Sequence, residues 1–219
     1  LDLRLRLSRG VRRDLSSRAR LRPAVDDLHR RLLAQRRELE AREWDLLPSI
    51  RALERTTRLE LMTTAATHAL LPLHRPVPAM MRTQVAEGLD AASEILGVRP
   101  TGFWLPECGF HPSLEEILTA EGVRYTVLDA HALLRAAPPQ PPGTAAVRTP
   151  SGLVALARDP ILSRKVWNAD DGYPGDPAYR EFHRDAGMDF SDRLLAPWFR
   201  AGYPRAHTGL KYWRVTDRH

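Results

Sequence analysis

A chain of 219 residues is long enough for a sizeable core but somewhat short for a complete β/α barrel, which takes about 250 residues. Its single cysteine, Cys108, excludes an internal disulfide, and no apolar run approaches the roughly 20 residues of a membrane span. The net charge of +6 arises within residues 1–60, where sixteen arginines face ten acidic residues; beyond that point the two signs balance. Clustered arginine is one signature of nucleic-acid binding. Here the arginines alternate with acids, as in Arg36-Arg37-Glu38-Leu39-Glu40-Ala41-Arg42-Glu43. That is the pattern of a solvated helix face with i,i+4 pairs, so no nucleic-acid partner is expected. With no signal peptide in view and no need for an oxidising compartment, a cytoplasmic location without membrane attachment is the expectation. The chain opens on Leu1 rather than Met, as a piece of a longer protein would.

Leu1, Leu3, Leu5 and Leu7 alternate with Asp2, Arg4 and Arg6, a period of two that predicts an extended segment broken at Gly10. Ser16 and Ser17, set among arginines, read as loop or frayed helix. Pro23 suits a first helical turn. Val25, Leu28, Leu32 and Leu39 then predict a helix from about Ala24 to about Arg42, with Asp26 and Asp27 near its positive end. Pro48 interrupts this pattern, and a second helix is expected over Ser49 to Thr57. Leu59 to Thr64 predicts a short strand that delivers His68 near its exit. A lone histidine in an apolar setting reads first as a hydrogen-bonded core residue. Pro72, Pro76 and Pro78 mark a turn-rich connection, after which Val85, Leu89, Ala92 and Leu96 line one face of a helix over Met80–Leu96 capped by Gly97.

The stretch from Gly102 to Phe110 concentrates the chemistry. Phe103 to Leu105 reads as a buried strand, Pro106 stops it, and Glu107 stands at its end with Gly109 loosening the exit. A carboxylate there, flanked by Trp104, Cys108 and Phe110, is expected to be partly desolvated and chemically useful, against the plainer reading of a capping or arginine-paired glutamate. Pro112 and Ser113 start a helix that Gly122 ends, and Val123 to Asp129 is the clearest strand. Strand, helix and strand in this order suit a parallel β/α unit. Pro138 to Gly143 is a proline-rich loop. Ala145–Thr149 and Leu153–Arg158 read as a hairpin around Pro150-Ser151-Gly152, and Asp159-Pro160 begins another turn. Gly172-Tyr173-Pro174-Gly175-Asp176-Pro177 is an irregular loop of the kind that covers sites or merely connects elements, and Thr208–Thr216 is a further strand candidate.

No dinucleotide fingerprint, P-loop, CxxC pair or nucleophile elbow is present. Cys108, His68, His74, His111 and His131 match no zinc spacing, so neither metal nor cofactor is implied. What remains is carboxylate chemistry among aromatics. Trp104, Trp167, Trp198, Trp213 and Tyr173 could stack on sugar faces, with core packing as the competing reading for each tryptophan.

Several stretches together resemble one family: Ala65-Ala66-Thr67-His68-Ala69-Leu70-Leu71-Pro72-Leu73, Trp104-Leu105-Pro106-Glu107-Cys108-Gly109-Phe110, and Val166-Trp167-Asn168-Ala169-Asp170-Asp171-Gly172-Tyr173-Pro174-Gly175-Asp176. Tyr179-Arg180-Glu181-Phe182-His183-Arg184-Asp185 and Thr208-Gly209-Leu210-Lys211-Tyr212-Trp213-Arg214 extend the match, which covers residues 58–219 in order. They are similar to the family-57 glycoside hydrolases, most of all to its 1,4-α-glucan branching members. The resemblance implies an α/β fold: part of an incomplete, distorted (β/α)7 barrel over residues 58–219, behind a helical, Arg-rich segment over residues 1–57. It implies a retaining glycosyltransferase or hydrolase acting on α-glucan such as amylose or a glycogen-like polysaccharide. Glu107 is then the nucleophile, and His68, Trp104, Tyr173 and Trp213 contact substrate, Tyr173 from a mobile loop.

Two departures accompany the resemblance. The family's N-terminal His-Gln-Pro motif has no counterpart, and its acid/base Asp follows the Lys211–Arg214 segment beyond His219. Asp189, Asp192 and Asp217 fall outside that acid motif. An internal fragment of a catalytic domain, inactive alone, is the expectation. α-Amylase, 4-α-glucanotransferase and a non-catalytic glucan-binding remnant are the alternatives. Neither the oligomeric state nor the preferred branch length is written in these residues.

Overall fold

Short β-branched and aromatic strands alternate with amphipathic helices between Leu46 and Ser163, and this stretch folds as one of two units. The other joins Leu1–Asp45 to Arg164–His219. The computed structural model describes residues 1–13, 15, 19–136, 138, 146–168, 170, 172–176, 179, 181, 183–196, 199, 202 and 204–214. Ser16, Ser17, the proline-rich loop beyond Pro138, Ala145, Trp198, Val215, Thr216 and Asp217 lie outside the described residues.

The unit Leu46–Ser163 holds α3 (Leu47–Arg55), β1 (Met62–Thr64), α4 (Pro78–Leu96), β2 (Gly102–Trp104), α5 (Ser113–Ala120), β3 (Tyr125–Leu128), α6 (Ala130–Leu134), β4 (Val147–Arg148) and β5 (Val154–Ala157). The strands form one sheet in the order β1-β2-β3-β5-β4. All neighbours are parallel except β4 and β5, the expected hairpin, whose turn uses Gly152 at φ +91°. Met62, Gly102, Tyr125 and Val154 lie in one register row, and Phe103, Thr126 and Ala155 in the next. Because side chains alternate along a strand, the second row faces one side. There Phe103, Thr126, Leu128 and Ala155 are buried, in one core with Met81, Val85 and Leu89 of α4 and Leu114 and Leu118 of α5. The other side, with Met62, Trp104, Val127 and Leu156, is only partly covered. Helix α4 reaches the sheet through Gly88. A Cβ there would meet the Thr64 carbonyl oxygen at 2.2 Å, and the Thr63 hydroxyl donates to the Gly88 carbonyl at 2.9 Å. Gly97 ends α4 in the left-handed region, as its sequence position predicts.

In the second unit, α1 (Asp2–Arg13) packs on α2 (Arg22–Glu40). The extended segment predicted for Leu1–Leu7 is thus a helix. The same leucines satisfy both periods, and Leu5, Ser8, Val11 and Leu15, three or four residues apart, are buried while Leu3 is 59% exposed. Gly10 does not break the helix but lies 3.3 Å, by its would-be Cβ, from Leu194. The buried Ser8 hydroxyl meets His29 Nδ1 at 2.8 Å, and burial, followed by Arg12 and Arg9, holds that imidazole below its usual value against Asp26. Asp159-Pro160, expected as a turn, starts α7 (Pro160–Trp167): the Asp159 carboxylate accepts from the Leu162 N–H at 2.8 Å, a helix N-cap.

Beyond α7 come α8 (Ala186–Asp189) and α9 (Asp192–Leu195). Of the strand predicted at Thr208–Thr216, the described part keeps a single bridge residue, Arg214. Before it, the Ala186 and Glu181 N–H groups donate to the Leu210 and Trp213 carbonyls. The organising group here is Asp185, whose carboxylate is fully buried. It accepts from the N–H groups of Gly187, Thr208 and Gly209 and from the Thr208 hydroxyl, all within 2.9 Å. Burial works against its charge, but these donors outweigh burial and hold the carboxyl below the usual carboxylate range.

Leu5→Ala should destabilise the protein by about 2–5 kcal/mol and Leu3→Ala by no more than about 0.5 kcal/mol in urea unfolding. Equal losses would favour the extended reading of residues 1–7. A carboxyl with a lowered folded value gives stability that is full above its unfolded value, near pH 4, and is lost as pH falls through the folded value. Asp185→Asn should therefore cost about 1–3 kcal/mol at pH 7 and flatten the acid limb of the stability profile. An unchanged acid limb would remove Asp185 from that role.

Candidate active site

Strand β2 delivers its chain end into apolar packing: Leu105 is fully buried and Pro106 is buried. Proline cannot extend the ladder, so the backbone turns at once into a single 3₁₀ turn over Pro106–Cys108. The Cys108 N–H donates to Leu105 and the Gly109 N–H to Pro106, both at 2.9 Å. Glu107 and Cys108 both take left-handed backbone conformations, φ 55° and 52°. Each costs roughly 1–2 kcal/mol in a residue with a Cβ. Gly109 does not loosen this exit: its φ is −70°, and its value is close approach, since a Cβ would lie 2.4 Å from Leu70 Cδ1. The turn also corrects the expected desolvation. Leu105 and Phe110 go to the core, while Glu107 is turned out and exposed.

At the end of β1, His68 repeats the pattern with φ 54° and an exposed side chain. It is therefore not the core histidine of the plain reading. The Thr64 hydroxyl donates to the Trp104 carbonyl at 2.9 Å and has a longer contact of 3.4 Å to His68 Nδ1. With the hydroxyl proton committed to Trp104, Nδ1 can only donate, which leaves Nε2 for a ligand. His68, Trp104 and Glu107 thus gather at the C-terminal edge of neighbouring parallel strands, where β/α folds place their chemistry.

The same edge carries two residues to which sequence reasoning gave no role. Asp129 directly follows β3 and Arg158 directly follows β5, and Leu128 and Ala157 before them are register partners. Arg158 Nε donates to Asp129 Oδ1 at 2.8 Å, and Nη2 contacts the same oxygen. The hydrogen bond to Asp129 raises the guanidinium further above its ordinary value. Burial pushes the Cys108 thiol up, Arg158 pulls it back, and Asp129 and Glu107 add to the rise. The available signal was an ionisable residue immediately after each strand.

Tyr173 and Trp213 belong to the other unit. Tyr173 sits in a 3₁₀ turn over Tyr173–Gly175, and its half-exposed ring stacks on Tyr179 with centroids 5.1 Å apart. Trp213 packs against Phe190 and Tyr212, and the Arg184 guanidinium lies 4.4 Å over its ring. Among the described residues no group of three or more His, Cys, Asp or Glu could hold a metal ion, and no helix is long and apolar enough to cross a membrane. A cavity of about 640 Å³ lies away from Glu107, lined among others by Glu60, Arg124, Tyr125 and Val154 at the beginnings of β3 and β5. The Tyr125 hydroxyl there is pushed up to about 12, first by burial and then by its hydrogen bond with Glu60.

Comparison with known proteins agrees with this picture. The chain is 34% identical over 174 residues to a probable 1,4-α-glucan branching enzyme of Mycobacterium tuberculosis, covering 78% of this chain and 28% of that protein. It is 27% identical over 201 residues to the 1,4-α-glucan branching enzyme of Thermococcus kodakarensis, covering 80% of this chain and 27% of that protein. The chain therefore spans little more than a quarter of these relatives. Among solved structures, the α-amylase AmyC from Thermotoga maritima superposes with a TM-score of 0.87 at 30% identity, over 99% of this chain and 42% of that one. The fold is accordingly the expected α/β architecture, part of an incomplete (β/α)7 barrel with a helical N-terminal segment. The family model described as Glycosyl hydrolase family 57 matches residues 31–195, three quarters of the chain, and the chain belongs to that family.

Proposed function

We propose that the protein containing this chain is a retaining transglycosylase that cuts α-1,4-glucan and forms α-1,6 branches; its relatives named 1,4-α-glucan branching enzymes support this reading. The observation that carries the reading is the left-handed turn that lifts Glu107 off the end of β2, with His68 at the neighbouring strand end. In the first step Glu107 attacks C1 of a glucosyl unit. The bond from C1 to the bridging oxygen breaks, and that oxygen takes a proton from a second carboxyl group. In the family pattern that group follows the Lys211–Trp213 segment. The 6-hydroxyl of a glucan acceptor then attacks C1, gives its proton to the second carboxylate and releases Glu107. His68 and Trp104 contact the sugar at the scissile unit, and the family resemblance also gives Trp213 and Tyr173 a part in holding substrate. A glycogen-like polysaccharide is the physiological product class of this reading, and the reaction uses no cofactor.

Water competes with the acceptor, and the choice depends on how well the covalent intermediate is shielded. The likeness to the α-amylase AmyC favours, as second reading, a protein in which water wins. Incubating full-length protein with amylose separates the two: new α-1,6 linkages, seen by proton NMR or isoamylase digestion, mark branching, and reducing ends without them mark hydrolysis. Glu107→Gln should lower turnover by more than about a thousandfold with the fold intact, and retained turnover would remove Glu107 as nucleophile. Tyr173→Ala should raise the yield of reducing ends relative to branches; an unchanged ratio would take Tyr173 out of shielding.

A further inference from the structure

An α-glucan carries no charge, so a guanidinium at the chemical edge of the sheet has no ionic group on the substrate to bind. Arg158 is nevertheless held there firmly. Its backbone N–H donates to the Leu128 carbonyl at 2.9 Å, and its Nε to Asp129 at 2.8 Å. Both members of the pair keep about a third of their side-chain surface exposed. Their positions are fixed by the ladder because each follows its strand without an intervening residue. Two strand spacings, about 10 Å, separate the backbones of β2 and β5. The long arginine stem crosses part of that distance; Arg158 pulls the raised Cys108 thiol back, and Cys108 and Glu107 both add to the rise of the guanidinium. The charged and titratable groups that meet here from the separate strand ends are His68 after β1, Glu107 and Cys108 after β2, Asp129 after β3 and Arg158 after β5.

We infer that Arg158, braced by Asp129, is a positioning residue for Glu107: it keeps a fixed positive charge beside the left-handed turn and so sets how the carboxylate is presented to the sugar. The inference rests on the reading of Glu107 as nucleophile. A surface ion pair of this exposure adds little to stability, on the order of 0–1 kcal/mol, so its place at this edge is better explained by the carboxylate that shares the edge. Within the pair, Asp129 supplies the orientation. It holds the Nε and Nη2 side of the guanidinium, which leaves Nη1 outside the pair.

Cys108 gives a built-in probe, because its thiolate fraction follows the same field. In the full-length protein, iodoacetamide labelling of Cys108 across pH, quantified on its peptide by mass spectrometry, is compared for the wild type, Arg158→Gln, Arg158→Lys and Asp129→Asn. Arg158→Gln should shift the labelling profile up by about half a pH unit, slowing labelling roughly threefold below the midpoint. It should also lower kcat on amylose by about tenfold or more with KM within about threefold, at unchanged thermal midpoint, and Arg158→Lys should recover most of both. An unshifted profile, or a shifted profile with kcat within twofold of wild type, overturns the inference. If Arg158→Gln does not fold, Asp129→Asn decides: a downward shift of the profile with lower kcat supports the inference, and unchanged kcat overturns it. If Glu107→Gln retains turnover, the nucleophile reading falls and takes this inference with it. A Glu107-dependent enzyme indifferent to Arg158 overturns the inference alone.

Discussion

The parallel register of β1, β2, β3 and β5 is the constraint on which the site depends. Parallel strands all point the same way, so their C-terminal ends share one edge, and each return crossing requires a helix or long connection. Helices α4 and α5 are two such crossings, and both lay their apolar faces on the same side of the sheet, over Phe103. Everything after a strand's last residue therefore emerges on one edge. His68, Glu107, Asp129 and Arg158 are neighbours for that reason, although as many as ninety positions separate them in the chain. A slip of one residue in β2 would bring Trp104 to the α4 side, drive Phe103 out of the core and rotate Glu107 with it.

Backbone strain is distributed unevenly over this framework. Of the six described non-glycine residues with positive φ, Glu43, Trp44 and Thr57 follow helix ends, where left-handed geometry terminates the helix. The other three, His68, Glu107 and Cys108, sit at the ends of β1 and β2. Strain of this kind persists only where the surroundings over-determine it. At Glu107 the determinants are explicit. The buried Leu105 and Pro106 anchor one side, the packed Phe110 anchors the other, and Gly109 passes too close to Leu70 to admit a side chain. The backbone thereby fixes where the Glu107 side chain leaves the strand end.

Much of this framework was legible because several local signals agreed. Pro23, Pro48 and Gly97 marked helix ends, and the β-branched run before Asp129 marked a strand. Where one signal stood alone, it misled. The leucines of residues 1–7 fit a period of two, but only the longer repeat through Val11 and Leu15 shows the helix, which buries Leu5 and Leu7 and leaves Leu3 exposed. Asp159-Pro160 is equally a turn and an N-cap, and the hydrogen bond from the Leu162 N–H decides between them. Gly109 invited a conformational argument, yet the left-handed φ fell on its two neighbours. The Asp129–Arg158 pair was invisible for a different reason: its partners are 29 positions apart, and only the β3–β5 register joins them.

The exposure of Glu107 bears on how the chemistry is divided. A nucleophile buried by its own strand would be shielded before substrate arrives and would need to open to bind a polysaccharide. Here the turn leaves the carboxylate open, and under the proposed function a long glucan meets it without displacing packed side chains. Under the proposed function, the unit Leu46–Ser163 specifies where the covalent bond forms, through Glu107 and the Asp129–Arg158 pair, but not which acceptor breaks it. Exclusion of water must come from groups that close over the bound sugar, the substrate included. Branching and hydrolysis can thus share this strand-end geometry, and the likeness of one chain to both branching enzymes and an α-amylase is what such a division of labour produces.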